Sequence, residues 1–275
     1  MLVNFFKTKL KGLTYRIEVL EECRRLKKAG RMLPKNYQSL IWSKPIVYDD
    51  FINFLCFLDN KTKVNLIDVG ANVGEFSKNF HLFFPIKPSI ICFEPLKFLI
   101  PKIEKNLSHL KDINLKIINS AIGNEKGKRE IYFDKASTGL ASLHKYNPDT
   151  MEFYNTEYKN KNLIDIEKLD DACKNFSEGE NFIIKIDTQG HELEVLKGGI
   201  ETIKRSSMLI VETSFVHEYK NINPSFSECC SILKDCGLLP IIFQDYGKKI
   251  SSYAFERDVI FVKDHLLKKI FYKNY

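Results

Sequence analysis

The sequence predicts an α/β protein, a mostly parallel sheet with helices packed on both faces, and three observations carry that reading. First, Val64, Leu66, Ile67 and Val69, then Ile90–Phe93, Phe182–Ile186 and Met208–Val211, form short apolar runs, as strands buried on both faces require. Second, stretches with helical apolar spacing lie between the runs, such as Phe76, Phe80 and Phe83/Phe84. That alternation is what crossover connections produce. Third, the runs end in Asp68, Glu94, Asp187 and Glu212. Acids at strand carboxyl ends converge on the ligand crevice of an open sheet. Carboxylates brought together repel one another, so their collection is hard to explain as structure alone.

The chain has 275 residues, 44% hydrophobic and 28% charged, which suits one large domain with a small appendage. No apolar stretch approaches the ~18 residues of a membrane span. Lysines are scattered through Met1–Leu13 without an apolar core, so no secretory signal is expected. The seven cysteines include no C-x-x-C pair, and Cys229, Cys230 and Cys236 lack zinc spacing. They read as buried thiols of a cytoplasmic protein. The net charge is +7, but the lysines are dispersed, so they read as solvated surface and no nucleic-acid partner is expected. The sequence gives no oligomeric state.

Residues 1–60 read as an N-terminal helical extension, with Arg24, Arg25, Lys27, Lys28 and Arg31 crowded before Pro34. Peripheral contact of this basic helix with the inner face of the membrane is the alternative to packing on the core. Residues 61–265 form the main domain. Its first strand, Asn65–Val69, runs into the turn Gly70-Ala71-Asn72-Val73-Gly74 and a helix. Glycine lets the backbone bend there and lets a ligand approach. The helix start favours a ligand carboxylate or phosphate. The next strand ends at Glu94-Pro95, where a carboxylate can accept hydrogen bonds from both ribose hydroxyls.

A second helix begins near Pro101, with Ile103 and Leu107 inward, and Ile113–Asn119 is the third strand. It ends in Ser120-Ala121-Ile122-Gly123, small enough to face an adenine ring. Residues 124–170 interrupt the rhythm as an insertion. Arg129–Asp134 reads as a strand and Tyr146–Asn162 as irregular, which suggests a lid or binding loop that recognises an acceptor. The rhythm resumes with Phe182–Asp187, a turn at Thr188–Glu192, a helix to Lys197, the strand ending in Glu212, a helix near Ser225–Cys236, and strands at Leu239–Phe243 and Val259–Val262. Residues 266–275 read as a basic tail.

The glycine pattern discriminates between ligands. A nicotinamide fingerprint, G-x-G-x-x-G, has a second glycine that admits the pyrophosphate. Asn72 stands at that position, which disfavours a nicotinamide oxidoreductase. A nucleoside without phosphate fits better, and S-adenosylmethionine is such a ligand.

Asp68-Val69-Gly70-Ala71-Asn72-Val73-Gly74, Phe93-Glu94-Pro95, Ala121-Ile122-Gly123 and Lys185-Ile186-Asp187-Thr188-Gln189-Gly190-His191-Glu192-Leu193-Glu194-Val195-Leu196-Lys197-Gly198 resemble the FkbM-type methyltransferases. The resemblance covers residues 64 to about 212. It implies a Rossmann-like class I methyltransferase fold with a seven-stranded sheet whose last strand is antiparallel. It implies an S-adenosylmethionine-dependent O-methyltransferase whose acceptor is a sugar or glycan hydroxyl, in surface polysaccharide or glycoconjugate biosynthesis. Carried over, Asp68 and the turn residues Gly70, Ala71, Asn72 and Gly74 surround the methionine end. Glu94 holds the ribose, Ser120 and Ala121 border the adenine, and Asp187 lies near the methyl group. The family often has an acid where this chain has Gln189.

A sugar hydroxyl is a poor nucleophile until it begins to lose its proton, so a general base is useful. Asp187 is the first candidate, from its strand end. His191 is the second, from its ordinary pKa, against a solvent-facing helix start. His144 and His217 are weaker candidates, and Glu192 serves the helix start. Asp187 with Glu212 is the one pair suited to a divalent metal, but two carboxylates are a thin ligand set, so none is expected. A nucleic-acid amino-methyltransferase is disfavoured because no Asn/Asp-Pro-Pro-Tyr/Phe run follows the fourth strand. A non-catalytic nucleotide- or glycan-binding protein of the same fold, or a methyltransferase for a non-sugar small molecule, is the alternative reading.

Overall fold

The computed structural model describes residues 58–59, 61–110, 112–174, 181–243 and 256–271, and four helical, exposed positions, Glu21, Arg24, Lys27 and Lys28. The rest of the expected N-terminal extension, with Trp42, lies outside the described residues.

Seven strands make the main sheet: β1 (Asn65–Val69), β2 (Ser89–Phe93), β3 (Asn114–Ile118), β7 (Phe182–Ile186), β8 (Met208–Ser214), β9 (Leu238–Phe243) and β10 (Glu256–Lys263). Their order is β3-β2-β1-β7-β8-β10-β9. β1 pairs in parallel with β2 and β7, whereas β10 runs antiparallel to both β8 and β9. The strand order reverses beside β1, and in open α/β sheets such a point opens a crevice at the strand carboxyl ends. Successive side chains point to opposite faces, so each apolar strand feeds two cores. Leu66, Ile90, Cys92, Ile183 and Ile210 pack on one face. Ile67, Val69, Ile91, Phe93, Ile184, Ile186 and Val211 pack on the other.

Helices α1 (Glu75–Phe83), α2 (Ile100–Leu107) and the terminal α8 (Asp264–Phe271) cover the first face. In α1, Phe80 and Phe83 are buried and Phe80 stacks on Phe84 at 4.9 Å. Phe76, half-buried, packs at the edge of the same core, and its ring centre lies 5.4 Å from the Lys185 ammonium. The residues expected as a tail are helical as far as Phe271, and Leu267 packs in the first core. Helices α4 (Leu169–Ala172), α5 (Glu192–Lys197), α6 (Ile200–Arg205) and α7 (Phe226–Asp235) cover the second face. Among the described residues, Cys92, Cys173, Cys229 and Cys236 are buried free thiols and Cys230 is half-buried. No helix of the described residues is long and apolar enough to cross a membrane.

The insertion is more ordered than its composition suggests. β4 (Ala121–Gly123), β5 (Gly127–Phe133) and β6 (Asn160–Lys168) form a second sheet of order β4-β6-β5, and α3 (Pro148–Tyr154) lies in the connection from β5 to the central β6. Two expectations are corrected. Ala121–Gly123 is a separate strand paired with Ile166–Lys168 rather than the end of β3. The irregular stretch to Asn162 contains a helix and the start of a nine-residue strand. That strand is hard to read because Ile164 and Ile166 are its only buried residues while Leu163 is 65% exposed. A third apolar cluster, with Ile131, Phe133, Ile164 and Ile166 against Leu96, Leu99 and Ala121, fixes this sheet over the strand ends.

Candidate functional site

A cleft opens at the carboxyl ends of β1, β2 and β7, beneath the inserted sheet. Gly70 and Asn72 line one side, Phe93, Glu94 and Pro95 the next, and Ser120, Ala121 and Ile122 a third. Thr138, Gly139, Ala141 and Leu143 come from the insertion, and Asp187, Thr188, Gln189 and His191 close the wall.

The first turn is built for close approach. Gly70 has φ +83°, and a Cβ there would lie 1.9 Å from the Asp187 carbonyl oxygen. Asn72 is also left-handed, at φ 49°, a conformation Asn tolerates better than most residues. Its N–H donates to Glu94 Oε2 at 2.8 Å, and its side-chain oxygen accepts from the Thr138 hydroxyl at 3.0 Å. The Asn72 side chain therefore ties the first turn to the insertion.

Glu94 is 4% exposed. Its Oε1 accepts from the Leu96 N–H at 2.8 Å. Burial raises its pKa to about 7, although the two backbone donors oppose the rise. Each oxygen keeps acceptor capacity, so the carboxylate suits a vicinal pair of hydroxyls such as those of a ribose.

Three expected site residues stand behind this wall. Asp68 is fully buried and accepts from the Ser77 hydroxyl at 2.6 Å, because its side chain points into the face covered by α1. Burial raises its pKa, against the pull of Lys185. Ala71 packs in the first core and Gly74 caps α1. In this structure Asp68, Ala71 and Gly74 support the turn and do not line the cleft. Ser120 lines the cleft, but its hydroxyl is spent on the carbonyls of Ala121 and Asp165.

Asp187 follows β7 and shares a face with Lys185, two residues earlier. Lys185 Nζ lies 2.6 Å from Asp187 Oδ2, and Gln189 Nε2 donates to Oδ1 at 3.0 Å. Burial pushes the Asp187 carboxyl up, but the Lys185 charge and these hydrogen bonds hold it below the usual range. Asp68 stands in register with Lys185 on the neighbouring strand. The lysine thus sits among acids, its ammonium form favoured despite burial. Its signal in the sequence was a lone cation inside an apolar strand, two residues before an acid.

Gln189 is left-handed, at φ 54°. Its amide nitrogen also donates to Glu212, its Oε1 accepts from the Tyr146 hydroxyl at 3.0 Å, and its carbonyl accepts from the Ser142 hydroxyl. Glu212 is displaced from the cleft. Burial first, and the Asp187 charge second, raise its pKa well above the ordinary value. The two acids are thus shifted in opposite directions, Asp187 down by the Lys185 charge and Glu212 up by burial. The amide of Gln189 lies between the two acids, where a shared cation would have to sit. Nothing in the sequence pattern pointed to Tyr146 or Ser142 as partners of this turn.

His191 is 3% exposed, which corrects the solvent-facing reading. Its Nδ1 lies 3.0 Å from His144 Nε2, and its own Nε2 has no hydrogen-bond partner. Burial, then His144, lower its pKa to about 3. It is neutral at working pH and is packed against Gly123, where an added Cβ would lie 2.8 Å from its Nε2. Glu192 accepts from the N–H groups of Thr188 and Gly190, closing the turn at the start of α5. His217 bonds the Ile222 carbonyl and is exposed, outside the cleft.

A mostly parallel sheet with one antiparallel strand, a glycine turn after β1 and an acid after β2 define a Rossmann-like protein with a cleft at the strand carboxyl ends. Residues 68–239 match the methyltransferase FkbM domain, and the chain belongs to that methyltransferase family. A curated relative, the 2-O-methyltransferase NoeI of Sinorhizobium fredii, is 23% identical over 165 residues, 58% of this chain and 67% of the relative. Among solved structures, magnesium protoporphyrin IX methyltransferase from Synechocystis has TM-score 0.42 and 11% identity, over 93% of this chain and 99% of that one. Fibrillarin from Aeropyrum pernix has TM-score 0.41 and 7% identity, over 72% of this chain and 66% of that one.

Proposed function

We propose that this protein transfers a methyl group from S-adenosylmethionine to a sugar or glycan hydroxyl, with Asp187 as the proton acceptor. The observation that carries the proposal is one cleft with Glu94 on one wall and, on another, Asp187 braced by Lys185 and Gln189. The name of the curated relative, a 2-O-methyltransferase, supports an oxygen acceptor.

The bound cofactor would supply an electrophilic methyl carbon. Glu94 would hold the ribose, Gly70 would admit the methionine end, and Ala121 with Ile122 would border the base. The acceptor hydroxyl would give its proton to an Asp187 carboxylate oxygen while its oxygen takes the methyl carbon and the cofactor's sulfur leaves with the electron pair of the broken sulfur–carbon bond, as neutral S-adenosylhomocysteine. A base with a depressed pKa is always ionised but weak, so Asp187 acts late in the transfer. Its contribution lies near the low end of the ~10²–10⁴-fold that general bases supply. Positioning supplies much of the remainder. His191, neutral and packed, serves as a wall residue in this reading. Residues 61–265 act as the methyltransferase domain, and the place of action is the cytoplasm.

Thermal unfolding with S-adenosylhomocysteine, and with NAD in parallel, tests the cofactor. At ~100 times the dissociation constant the native state gains ~2.7 kcal/mol, and the gain is expected with the homocysteine compound alone. Transfer of labelled methyl to a panel of glycans and nucleotide sugars then tests the acceptor. Binding without transfer to any of them would favour a non-catalytic module.

A further inference from the structure

The inserted sheet has a second recess, lined by Tyr132, Tyr158, Lys145, Lys161, Lys220 and Glu157 among others. Tyr146 and Tyr219 form an isolated antiparallel bridge, and the Lys220 N–H donates to the Lys145 carbonyl at 2.8 Å. Lys145 and Lys220 therefore stand directly opposite each other. Side chains alternate along such a pair. Tyr146 and Tyr219 are buried, whereas the two lysines are exposed at the recess.

Like charges set directly opposite are destabilising, and neither ammonium is ion-paired, although Glu157 lines the recess and Glu130, bound to Lys161, lies near Lys145. Lys159 is bound to Asp134 at 2.9 Å and Lys161 to Glu130 at 2.6 Å. Lys145 and Lys220 have no ion pair among the described residues. The Lys145 ammonium instead lies 4.7 Å from the Tyr132 ring centre, which holds it over the recess. Tyr132 and Tyr158, with ring centres 6.0 Å apart, supply an aromatic wall beside the two charges. The recess is also coupled to the cleft. Tyr132 exchanges both backbone hydrogen bonds with Ser142, whose hydroxyl bonds the Gln189 carbonyl.

We propose that this recess binds the phosphate or diphosphate of a phosphorylated saccharide, with Lys145 and Lys220 on the phosphate and the tyrosine rings against the sugar. Ammonium groups bind phosphate as point charges, and aromatic faces give an apolar surface with polar edges. That this ligand is the methyl acceptor rests on the methyl-transfer reading above; the site itself does not.

The test is calorimetric titration of the full chain with UDP-glucose, with inorganic pyrophosphate and with the neutral disaccharide maltose. Phosphatidylglycerol vesicles form a separate arm, and S-adenosylhomocysteine is the control for the cleft. The double variant Lys145→Ser/Lys220→Ser is compared with wild type. UDP-glucose and pyrophosphate are expected to bind wild type and maltose not to bind. The variant should weaken both by about tenfold or more, unfold no earlier than wild type, and keep its homocysteine affinity. Equal affinity in the variant, no binding of either soluble phosphate, or capture by vesicles alone would each overturn the proposal. Failure of S-adenosylhomocysteine to bind while UDP-glucose binds through the lysines would reject the methyl-transfer reading and leave the recess standing.

Discussion

The Tyr146 hydroxyl donates to Gln189 Oε1 at 3.0 Å, and this bond orients the Gln189 amide nitrogen toward Asp187 and Glu212. Tyr219 in turn donates to the Tyr146 oxygen at 3.3 Å, leaving the Tyr146 proton for glutamine. Tyr146→Phe strands a buried acceptor, which costs about 1–3 kcal/mol. Gln189→Glu puts a third carboxyl beside two others, so its folded pKa is raised above the ordinary ~4.3. The native state then holds a proton that the unfolded chain has released, and stability falls as pH rises through that interval. The expected deficit is small at pH 5 and about 3 kcal/mol at pH 8. Urea unfolding at both pH values measures it; a deficit independent of pH would contradict the orientation.

Glu94 makes cofactor binding pH-dependent. Burial raises its folded pKa to about 7 from an ordinary 4.5. Between those values the native state keeps a proton that the unfolded state has lost, so this group lowers the stability of ligand-free protein as pH rises. Ribose hydroxyls that donate to the carboxylate favour its ionised form. S-adenosylhomocysteine affinity should therefore rise from pH 6 to pH 8, with protons released on binding near pH 6. Glu94→Gln should remove that proton release. Calorimetry in two buffers of different ionisation enthalpy reads it directly, and release that persists in the variant would assign it to another group.

Asp187→Asn is expected to retain S-adenosylhomocysteine affinity while methyl transfer falls about 10²-fold. The substitution also removes the nearest partner of Lys185, a cation 8% exposed. Loss of a buried partner costs ~3–5 kcal/mol, and the charges of Asp68 and Asp258 place the cost near the lower bound. Single-turnover rates measured with thermal unfolding separate the two effects. Undiminished transfer in a folded variant would remove Asp187 as the base.

Gly70→Ala tests the contact between the first turn and β7. The new Cβ would lie 1.9 Å from the Asp187 carbonyl oxygen, at φ +83°. Backbone has to move, and the left-handed conformation adds ~1–2 kcal/mol. A loss of about 3 kcal/mol or more is expected, together with loss of homocysteine binding. A melting temperature within a degree or two of wild type would show that the turn is not seated as described.

The sequence by itself determined the sheet strands, their apolar two-faced character and the glycine turn, because burial on both faces leaves little choice of residue. It also marked Glu94 and Asp187, since acids at strand ends are visible in one dimension. It did not reveal β6, whose inward residues are only Ile164 and Ile166. Nor did it distinguish Asp68 from Asp187. Both follow apolar runs, yet Asp68 lies one residue before its strand ends, on the face that α1 covers, while Asp187 lies one residue beyond its own. The tertiary structure alone brought Thr138 to Asn72, Tyr146 and Ser142 to Gln189, and His144 to His191. These pairs join residues 47, 43 or 66 positions apart through single side chains, and no local period or propensity records such a contact. The lowered pKa of His191 and the opposite shifts of Asp187 and Glu212 follow from burial and neighbouring charge, quantities that exist only once the chain has folded.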